Sequence, residues 1–137
     1  MIVLDTNVVS ALMKPSDHPD IAGWLNQWPE RLVRTTSITI MELNYGIHRL
    51  PFGRKRRELT ESLQTLRRQY LQEVLAFDQD AAEFTATLLA NAHSVGRNLD
   101  FPDTQIAGIV LANNATLATR NIRDFEGLGL KLVNPWD

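Results

Sequence analysis

The sequence predicts an α/β protein with a mainly parallel sheet of four or five strands, covered by helices on both faces. Two observations lead to this prediction. Short apolar runs typical of buried strands alternate along the chain with longer segments whose apolar residues recur at helical spacing. Strands that alternate with helices form βαβ units, in which the strands run parallel and the helices lie on either side. We therefore expect a three-layer α/β/α fold, with a strand order that the pattern does not specify.

Length and composition predict one domain over residues 1–137. The chain is 44% hydrophobic and 22% charged, which is enough to form a sizeable core. No apolar window approaches the roughly 18 residues of a membrane span, and the start lacks the basic leader and cleavage site of a signal peptide. The absence of Cys excludes disulfides and thiol catalysis and fits a reducing compartment. We expect a cytoplasmic protein with no membrane contact.

The chain begins with an apolar run that ends on an acid, in the stretch Val3-Leu4-Asp5-Thr6-Asn7. The run reads as a buried strand, and the segment from Val8 to Met13 has the pattern of a helix. Asp5 would then lie at the carboxyl end of a central strand, where ligands bind in open α/β sheets. The alternative is that these polar residues only cap the helix, since Asp, Thr and Asn are all good N-cap residues.

The remaining elements follow from changes in periodicity and from turn residues. Before residue 54 the sequence predicts a helix over 21–28, a strand over 31–36 and a helix that begins at Ser37. Pro51 and Gly53 break that helix. The later elements are a long amphipathic helix over 54–74, a strand over 74–77, a helix over 81–95 with Gly96 as its C-cap, a helix that begins at Asp103, a strand over 115–119, a loop or short helix over 120–129 and a final strand over 130–133.

Three further acids stand where a helix or turn begins, and each has a structural explanation. Glu42 closes the pattern Thr39-Ile40-Met41-Glu42, which fits a capping box. Asp103 directly precedes an apolar helix, where an acid caps the helix or complements its macrodipole. Asp124 follows the fourth strand and fits an ordinary turn. Judged singly, each acid is more often structural than catalytic.

Taken together, the acids predict a metal site. In a parallel sheet every strand-to-helix junction lies at the same edge, so Asp5, Asp103 and Asp124 can converge there, with Glu42 reaching them from its helix. Carboxylates gathered without a cation repel one another, which raises the pKa of at least one. Mg²⁺ and Mn²⁺ prefer carboxylate oxygen, and such an ion could activate water for in-line attack on a phosphodiester. The neutral side chains that could orient the carboxylates or hold water at the ion are Thr6, Asn7, Thr119 and Asn121.

Four short motifs spread along the chain carry a further signal. They are Val3-Leu4-Asp5-Thr6-Asn7, Ile38-Thr39-Ile40-Met41-Glu42-Leu43-Asn44-Tyr45-Gly46-Ile47, Asp103-Thr104-Gln105-Ile106-Ala107, and Leu117-Ala118-Thr119-Arg120-Asn121 with Asp124-Phe125. These segments, and the closing Val133-Asn134-Pro135-Trp136, resemble the PIN-domain ribonucleases, specifically the VapC/FitB-like toxins of type II toxin/antitoxin pairs. The resemblance covers nearly the whole chain in the family's order, and it implies one PIN-like domain.

The resemblance also implies an activity and a set of site residues. The metal-binding and catalytic acids would be Asp5, Glu42, Asp103 and Asp124. Relatives can carry an acid where this chain has Asn121, so Asn121 could replace Asp124 as a neutral fourth ligand. Asp100 would orient the ligands without binding the metal itself. Members of this family cleave RNA endonucleolytically with Mg²⁺ or Mn²⁺ and commonly form homodimers. A cognate antitoxin, itself expected to bind DNA, inhibits them through a C-terminal segment that occupies a groove.

Basic residues are unevenly placed, although the net charge is −2. Arg54, Lys55, Arg56 and Arg57 form a run that could contact an RNA backbone, and the alternative is a solvated helix face. Arg120 is adjacent to the acid-bearing segment. We expect it to contact phosphate, because a guanidinium can grip two phosphate oxygens at once.

Two rival functions remain open at this point. A strand-end aspartate such as Asp5 can serve as a phosphoryl-accepting nucleophile, but Asn7 occupies the place where the phosphatase pattern has a second Asp. The other rival is a non-catalytic PIN-like module that acts with a DNA-binding antitoxin in operon autoregulation. The presence of all the acids favours the metal-dependent endoribonuclease over both.

Overall fold

The computed structural model describes all 137 residues and contains a five-stranded sheet between two layers of helices. The strands are β1 (Ile2–Leu4), β2 (Val33–Thr36), β3 (Val74–Leu75), β4 (Thr116–Ala118) and β5 (Lys131–Val133). They lie in the order β3-β2-β1-β4-β5, and every neighbouring pair is parallel. The predicted α/β class and parallel sheet are confirmed, and of the four or five strands predicted, five are present.

Seven helices connect and cover the strands. They are α1 (Thr6–Leu12), α2 (Pro19–Leu25), α3 (Ser37–His48), α4 (Arg54–Gln69), α5 (Gln79–Ser94), α6 (Phe101–Ala112) and α7 (Ile122–Phe125). Gly96 follows α5 with a φ of 72°, the left-handed conformation that glycine adopts readily after a helix end, as the sequence predicts. None of the helices combines the length and the apolar character that crossing a membrane requires.

The strand order places β1 at the centre and brings the ends of β1, β2 and β4 together. Leu4 pairs with Ala118, and the N–H of Asp5 donates to the carbonyl of Ala118 at 2.9 Å. The chain leaves β1 for β2 on one side, and β4 lies on the other, so the order reverses at β1. In open α/β sheets, ligands bind at the carboxyl edge beside such a reversal.

The core consists of two apolar clusters, one on each face of the sheet. Ile2 and Leu4 point into the cluster under α1 to α4, whereas Val3 points into the cluster under α5 and α6. All three side chains are fully buried. A strand covered on both faces is apolar throughout, which explains why β1 has no polar alternation.

Several predicted boundaries are wrong. Helix α4 ends at Gln69 rather than at residue 74, because Leu71 turns into the core after a tight helix end in which its N–H donates to the carbonyl of Leu66. Residues Glu30–Leu32 form a 3-10 turn, so the second strand begins at Val33 and not at residue 31. Only Val74–Leu75 of the third predicted strand pair with β2.

Helix α6 begins at Phe101, two residues before the predicted start. The carboxylate of Asp100 accepts a hydrogen bond from the N–H of Asp103 at 3.1 Å, so Asp100 is the N-cap. Pro102 fits the first turn because that turn needs no N–H donor there. Asp103 therefore lies within the helix and does not cap it.

Candidate active site

Asp5 lies at the carboxyl end of β1 and is 3% exposed. One carboxylate oxygen accepts from the N–H of Thr6 at 2.8 Å, and the other accepts from the Thr119 hydroxyl at 2.7 Å and the Asn7 amide at 3.4 Å. Burial raises the pKa of Asp5, the hydrogen bonds from Thr119 and Thr6 oppose this, and the nearby Glu42 and Asp124 raise it further. Asp5 thus caps α1, as the structural alternative predicts, and is also a buried carboxylate held in one orientation.

Glu42 has no capping role, so the capping-box prediction is wrong. Helix α3 begins at Ser37, as predicted, which is one turn before the start that a capping box at Thr39 requires. Its N-cap is Thr36, whose hydroxyl accepts from the N–H of Thr39 at 3.1 Å. The carboxylate of Glu42 instead accepts from the hydroxyl of Thr6 at 2.8 Å. Because Thr6 follows β1, this hydrogen bond joins α3 to the edge that carries Asp5.

Asp103 projects from the first turn of α6, and its carboxylate has no hydrogen-bond partner in the protein. Burial is the main cause that raises the pKa of Asp103 to about 7, and the neighbouring carboxylates of Asp5, Asp100, Glu42 and Asp124 raise it in turn. The structure therefore confirms that carboxylates distant in sequence come close enough to repel one another.

Asp5, Glu42 and Asp103 line a single cavity of about 470 Å³. Asn121 lines this cavity as well, whereas Asp124 lines an adjoining cavity of about 310 Å³ that it shares with Asp103 and Asp100. Asp103 thus borders both cavities, and each cavity contains one candidate for the fourth metal ligand. Which of them acts as a ligand stays a prediction.

The donor set fits a hard divalent cation, since the cavity offers carboxylate and amide oxygens and the chain has no Cys. The side chains do not form a finished coordination sphere, because no three His, Asp or Glu side chains are placed to hold one ion. Asp5 and Glu42 are tied by hydrogen bonds, and Asp103 is untied. Common coordination would therefore require the three side chains to approach one another, and metal binding stays a prediction.

The neutral residues predicted near the acids form a hydrogen-bonded network with Asp5 and Glu42. Thr119 is fully buried, and its hydroxyl contacts Asp5, the Asn7 amide at 3.4 Å and the N–H of Asn121 at 3.1 Å. Thr6 links Glu42 to Thr39 through hydroxyl contacts of 2.8 and 3.0 Å. Thr6, Asn7 and Thr119 therefore orient the carboxylates through the protein's own hydrogen bonds.

Sequence reasoning missed two polar residues that line the cavity, Ser10 and Lys14. Ser10 lies on the face of α1 that begins with Asn7, and Lys14 directly follows the C-cap of α1 at Met13. The spacing 7, 10, 14 is that of one helix face, so it could have identified them. Lys14 places an ammonium group at a cavity that is otherwise dominated by negative charge.

The basic residues fall into two groups. None of Arg54, Lys55, Arg56 and Arg57 lines the acid cavity. Arg54 pairs with Glu58 at 2.9 Å. Arg56 donates to the carbonyl of His48, the last residue of α3, at 3.5 Å and to that of Leu50 at 3.2 Å. Lys55 and Arg57 are exposed. Arg120 lies beside the acids, since its backbone N–H donates to the Asn7 side chain at 3.2 Å. RNA contacts by either group stay a prediction.

This fold, with acids at the carboxyl ends of parallel strands, defines a class of protein that the comparisons identify. The family model of the PIN domain matches residues 2–129. The chain therefore belongs to the PIN-domain family.

Individual relatives narrow this class and confirm the resemblance to VapC- and FitB-like proteins. The plasmid stability protein StbB of Pseudomonas syringae pv. tomato is 35% identical over 138 residues, which cover 100% of this chain and 99% of StbB. The VapC ribonuclease Y4jK of Sinorhizobium fredii is 33% identical, with coverages of 100% and 99%. A chain in the structure of FitAB bound to an IR36 DNA fragment is 29% identical and superposes with a TM-score of 0.90, covering 100% of this chain and 96% of its own length.

Proposed function

We propose that this protein is the toxin of a type II toxin/antitoxin pair and acts in the cytoplasm as a Mg²⁺- or Mn²⁺-dependent endoribonuclease. The observation behind the proposal is that Asp5, Glu42 and Asp103, from three separate elements, line one cavity that no arginine lines. Burial, followed by repulsion from the neighbouring carboxylates, raises the pKa of Asp103 to about 7. The similarity to a protein named VapC ribonuclease supports RNA as the substrate.

In this proposal the three acids hold the metal, with Asn121 or Asp124 as the fourth ligand. A bound Mg²⁺ or Mn²⁺ would supply an activated water and neutralise charge that develops on the phosphate. Thr119 and Thr6 keep the Asp5 carboxylate in place, and Thr6 does the same for Glu42. A cation offsets the repulsion that otherwise favours protonation of Asp103, so metal binding and ionisation of Asp103 support each other.

The chain's own cations would position the RNA. Lys14 borders the acid cavity, and Arg120 is tethered to Asn7 beside it. The positive charges of Lys14 and Arg120 would balance the negative charge of a phosphodiester bound beside the acids. The exposed Lys55 and Arg57 would extend contact with the backbone along α4.

The antitoxin would bind in a groove of about 670 Å³ between α1, α2 and α4. Its apolar lining includes Leu12, Leu25 and Leu66, and its wall carries Glu58 and Glu61. An amphipathic segment with basic residues fits such a groove. Neighbouring residues of α1 and α4 line the acid cavity, so a segment that leaves the groove could reach the acids. The DNA in the FitAB structure supports an antitoxin that itself binds DNA.

A homodimer is part of the same proposal. Met41 and Tyr45 are 54% and 63% exposed on successive turns of α3, and Phe101 is 65% exposed at the start of the neighbouring α6. Large apolar side chains exposed on adjacent helices are candidates for a protein interface. The oligomeric state of a Tyr45→Glu variant, compared with that of wild type, tests whether this surface is the dimer interface.

The deciding experiment is RNA cleavage by the purified protein, freed from its antitoxin, and by its Asp5→Asn variant. We expect wild type to cleave RNA in Mg²⁺ or Mn²⁺ and to be inactive in EDTA. The cleavage rate of Asp5→Asn should be more than about 100-fold lower, since even the residues that orient metal ligands contribute about 10- to 100-fold to activity. Circular dichroism should show an unchanged fold. The matched control is Asp20→Asn, at an exposed position in α2 away from the cavity, which should cleave like wild type.

Two outcomes would contradict the proposal. One is a folded wild-type protein that cleaves no RNA with either ion, which would favour the non-catalytic binding module. The other is an Asp5→Asn variant that cleaves as fast as wild type, which would place the chemistry elsewhere.

A further inference from the structure

Trp136, the last residue but one, stacks against Arg120 at the acid-bearing edge. The guanidinium carbon of Arg120 lies 5.0 Å from the centre of the indole ring. A planar guanidinium over an aromatic face is a favourable cation–π arrangement. The contact joins the C-terminal segment to the residue that follows β4 and the buried Thr119.

The indole ring is itself held in place. The backbone N–H of Trp136 donates to the Asn134 side chain at 2.9 Å, and the indole ring packs against the apolar cluster under α1 to α4. His18, at the start of α2, meets the ring edge-on with 6.4 Å between ring centres and 86° between planes. Contacts from three parts of the chain therefore make the ring a fixed surface.

Arg120 combines a fixed backbone with an unpaired side chain. Its N–H donates to Asn7, whose amide contacts Asp5, so the backbone is tied to the network that orients the central acid. Its side chain is exposed, and the guanidinium makes no hydrogen bond or ion pair within the protein. By contrast, Arg54 pairs with Glu58, and Arg97 donates to the carbonyls of Glu126 and Asp124.

We propose that Trp136 is a positioning residue, whose indole face holds the Arg120 guanidinium beside the acids so that its N–H edge meets an RNA phosphate. The inference rests on the proposed function and adds a specific role for the C-terminal segment. An exposed arginine ordinarily samples many rotamers and loses that freedom when it binds. A stacked guanidinium has lost part of it already, and its edge remains open for a bidentate phosphate contact.

The test measures binding of a short single-stranded RNA to cleavage-deficient Asp5→Asn protein over a series of salt concentrations. Adding Trp136→Leu should weaken binding about fivefold, the size expected for a cation–π contact. It should also reduce the slope of log affinity against log salt by about 0.7, the value for one lost phosphate contact on a single strand. Trp136→Phe keeps an aromatic face and should restore most of both quantities.

Two controls separate positioning from general stability. Trp28→Leu removes a partly buried indole that packs on the same core cluster but contacts Trp24 instead of Arg120, and it should leave affinity and salt slope unchanged. With Arg120→Ala already present, Trp136→Leu should cause no further loss of binding. In the nuclear magnetic resonance spectrum of the wild-type protein, the ring current should shift the Arg120 side-chain N–H, and Trp136→Phe should reduce that shift.

Each result bears on the proposal. Unchanged affinity and slope in Trp136→Leu would overturn it, and so would an equal loss of binding in the Arg120→Ala background or an unshifted Arg120 resonance in wild type. If wild type cleaves RNA while these tests fail, only the role of Trp136 falls. If wild type does not cleave RNA, the proposed function falls on that assay alone, and absence of RNA binding overturns both.

Discussion

The α5–α6 helix pair and the carboxyl edge of the sheet both bury polar groups, but they differ in how those groups are satisfied. Between the helices, the buried Thr85 hydroxyl donates to the carbonyl of Ala81 at 2.7 Å and lies 3.5 Å from that of Thr104. At the edge, Asp5 and Asp103 are brought together with Glu42, and both have raised pKa values. One region satisfies its polar groups internally, and the other accumulates negative charge.

This difference separates what stabilises the protein from what it does. Helices α5 and α6 approach closely because Gly108 has no side chain where they cross. The edge, by contrast, reduces stability, since gathered carboxylates repel one another until a cation binds. Functional sites commonly depart from the most stable arrangement in this way. Added bulk between the helices should therefore lower the free energy of unfolding, whereas removal of a carboxylate charge at the edge should raise it.

The largest expected effect is the destabilisation caused by Gly108→Ala. A Cβ at this position would lie 2.0 Å from the Thr85 hydroxyl and 2.7 Å from the carbonyl oxygen of Ala81, so the helices must separate. We expect the free energy of unfolding to fall by about 3 kcal/mol, at the upper end of the cost of overpacking a core. Urea denaturation followed by circular dichroism measures it.

Gly23→Ala is the matched control, because Gly23 lies in α2 and a Cβ added there would meet no atom within 4 Å. It should stabilise by about 0.5–1 kcal/mol through helix propensity. Adding Thr85→Ala to Gly108→Ala should restore part of the loss, because it removes the shorter of the two clashes. A Gly108→Ala protein as stable as wild type would show that the helix pair is not tightly packed.

Most of the fold could be predicted because strong local patterns specify it. The apolar β1 and the alternation of strands with helices are visible in the sequence, and parallel pairing follows from the alternation. The errors are at ends that tertiary contacts decide. Leu71 leaves the helical pattern to enter the core, and Pro102 lies inside a helix whose cap is Asp100. The strand order depends on packing between elements and could not be derived from local pattern.

The site was only partly predictable for the same reason. The position of Asp5 follows from the end of β1, and Glu42 was predicted beside it, although a capping-box pattern that the structure does not use offered a second explanation for Glu42. Trp136 and Arg120 are 16 residues apart, and no periodicity links them. Contacts of this kind depend on the fold, so a single sequence contains no local signal for them.

The second effect in size is stabilisation by Asp103→Asn. The pKa of Asp103 is about 7 in the folded protein against 3.8 as the ordinary value. Below pH 3.8 both states keep the proton; as the pH rises toward 7 the unfolded chain loses it first, so the free energy of unfolding falls and then levels off above pH 7. Because Asp103 is half-buried and partly screened, we expect Asp103→Asn to be about 1–2 kcal/mol more stable than wild type at pH 8.

Thermal unfolding at two pH values checks this expectation. At pH values below 3.8 the variant and wild type should be equally stable, because Asp103 is protonated in both states there. Adding Mn²⁺ at pH 8 should raise the Tm of wild type more than that of Asp103→Asn, because bound ligand stabilises the folded state by mass action. A variant that is less stable than wild type at pH 8 would contradict the view that burial and the neighbouring carboxylates make the ionised Asp103 destabilising.

The smallest effect on stability is expected from the same substitution made once in each region, Thr85→Val and Thr119→Val. Each replaces a buried hydroxyl with a methyl group and leaves the side-chain shape nearly unchanged, so each should lower the free energy of unfolding by about 1 kcal/mol.

The effects of the two substitutions on RNA cleavage should differ. Thr119 donates to Asp5 at 2.7 Å and lowers the pKa of that acid, so its loss should reduce cleavage about 10- to 100-fold, as for partners of metal ligands. Thr85→Val should cleave RNA like wild type, because the hydroxyl of Thr85 contacts only helix carbonyls. Equal cleavage by the two variants would mean that the network around Asp5 serves stability alone.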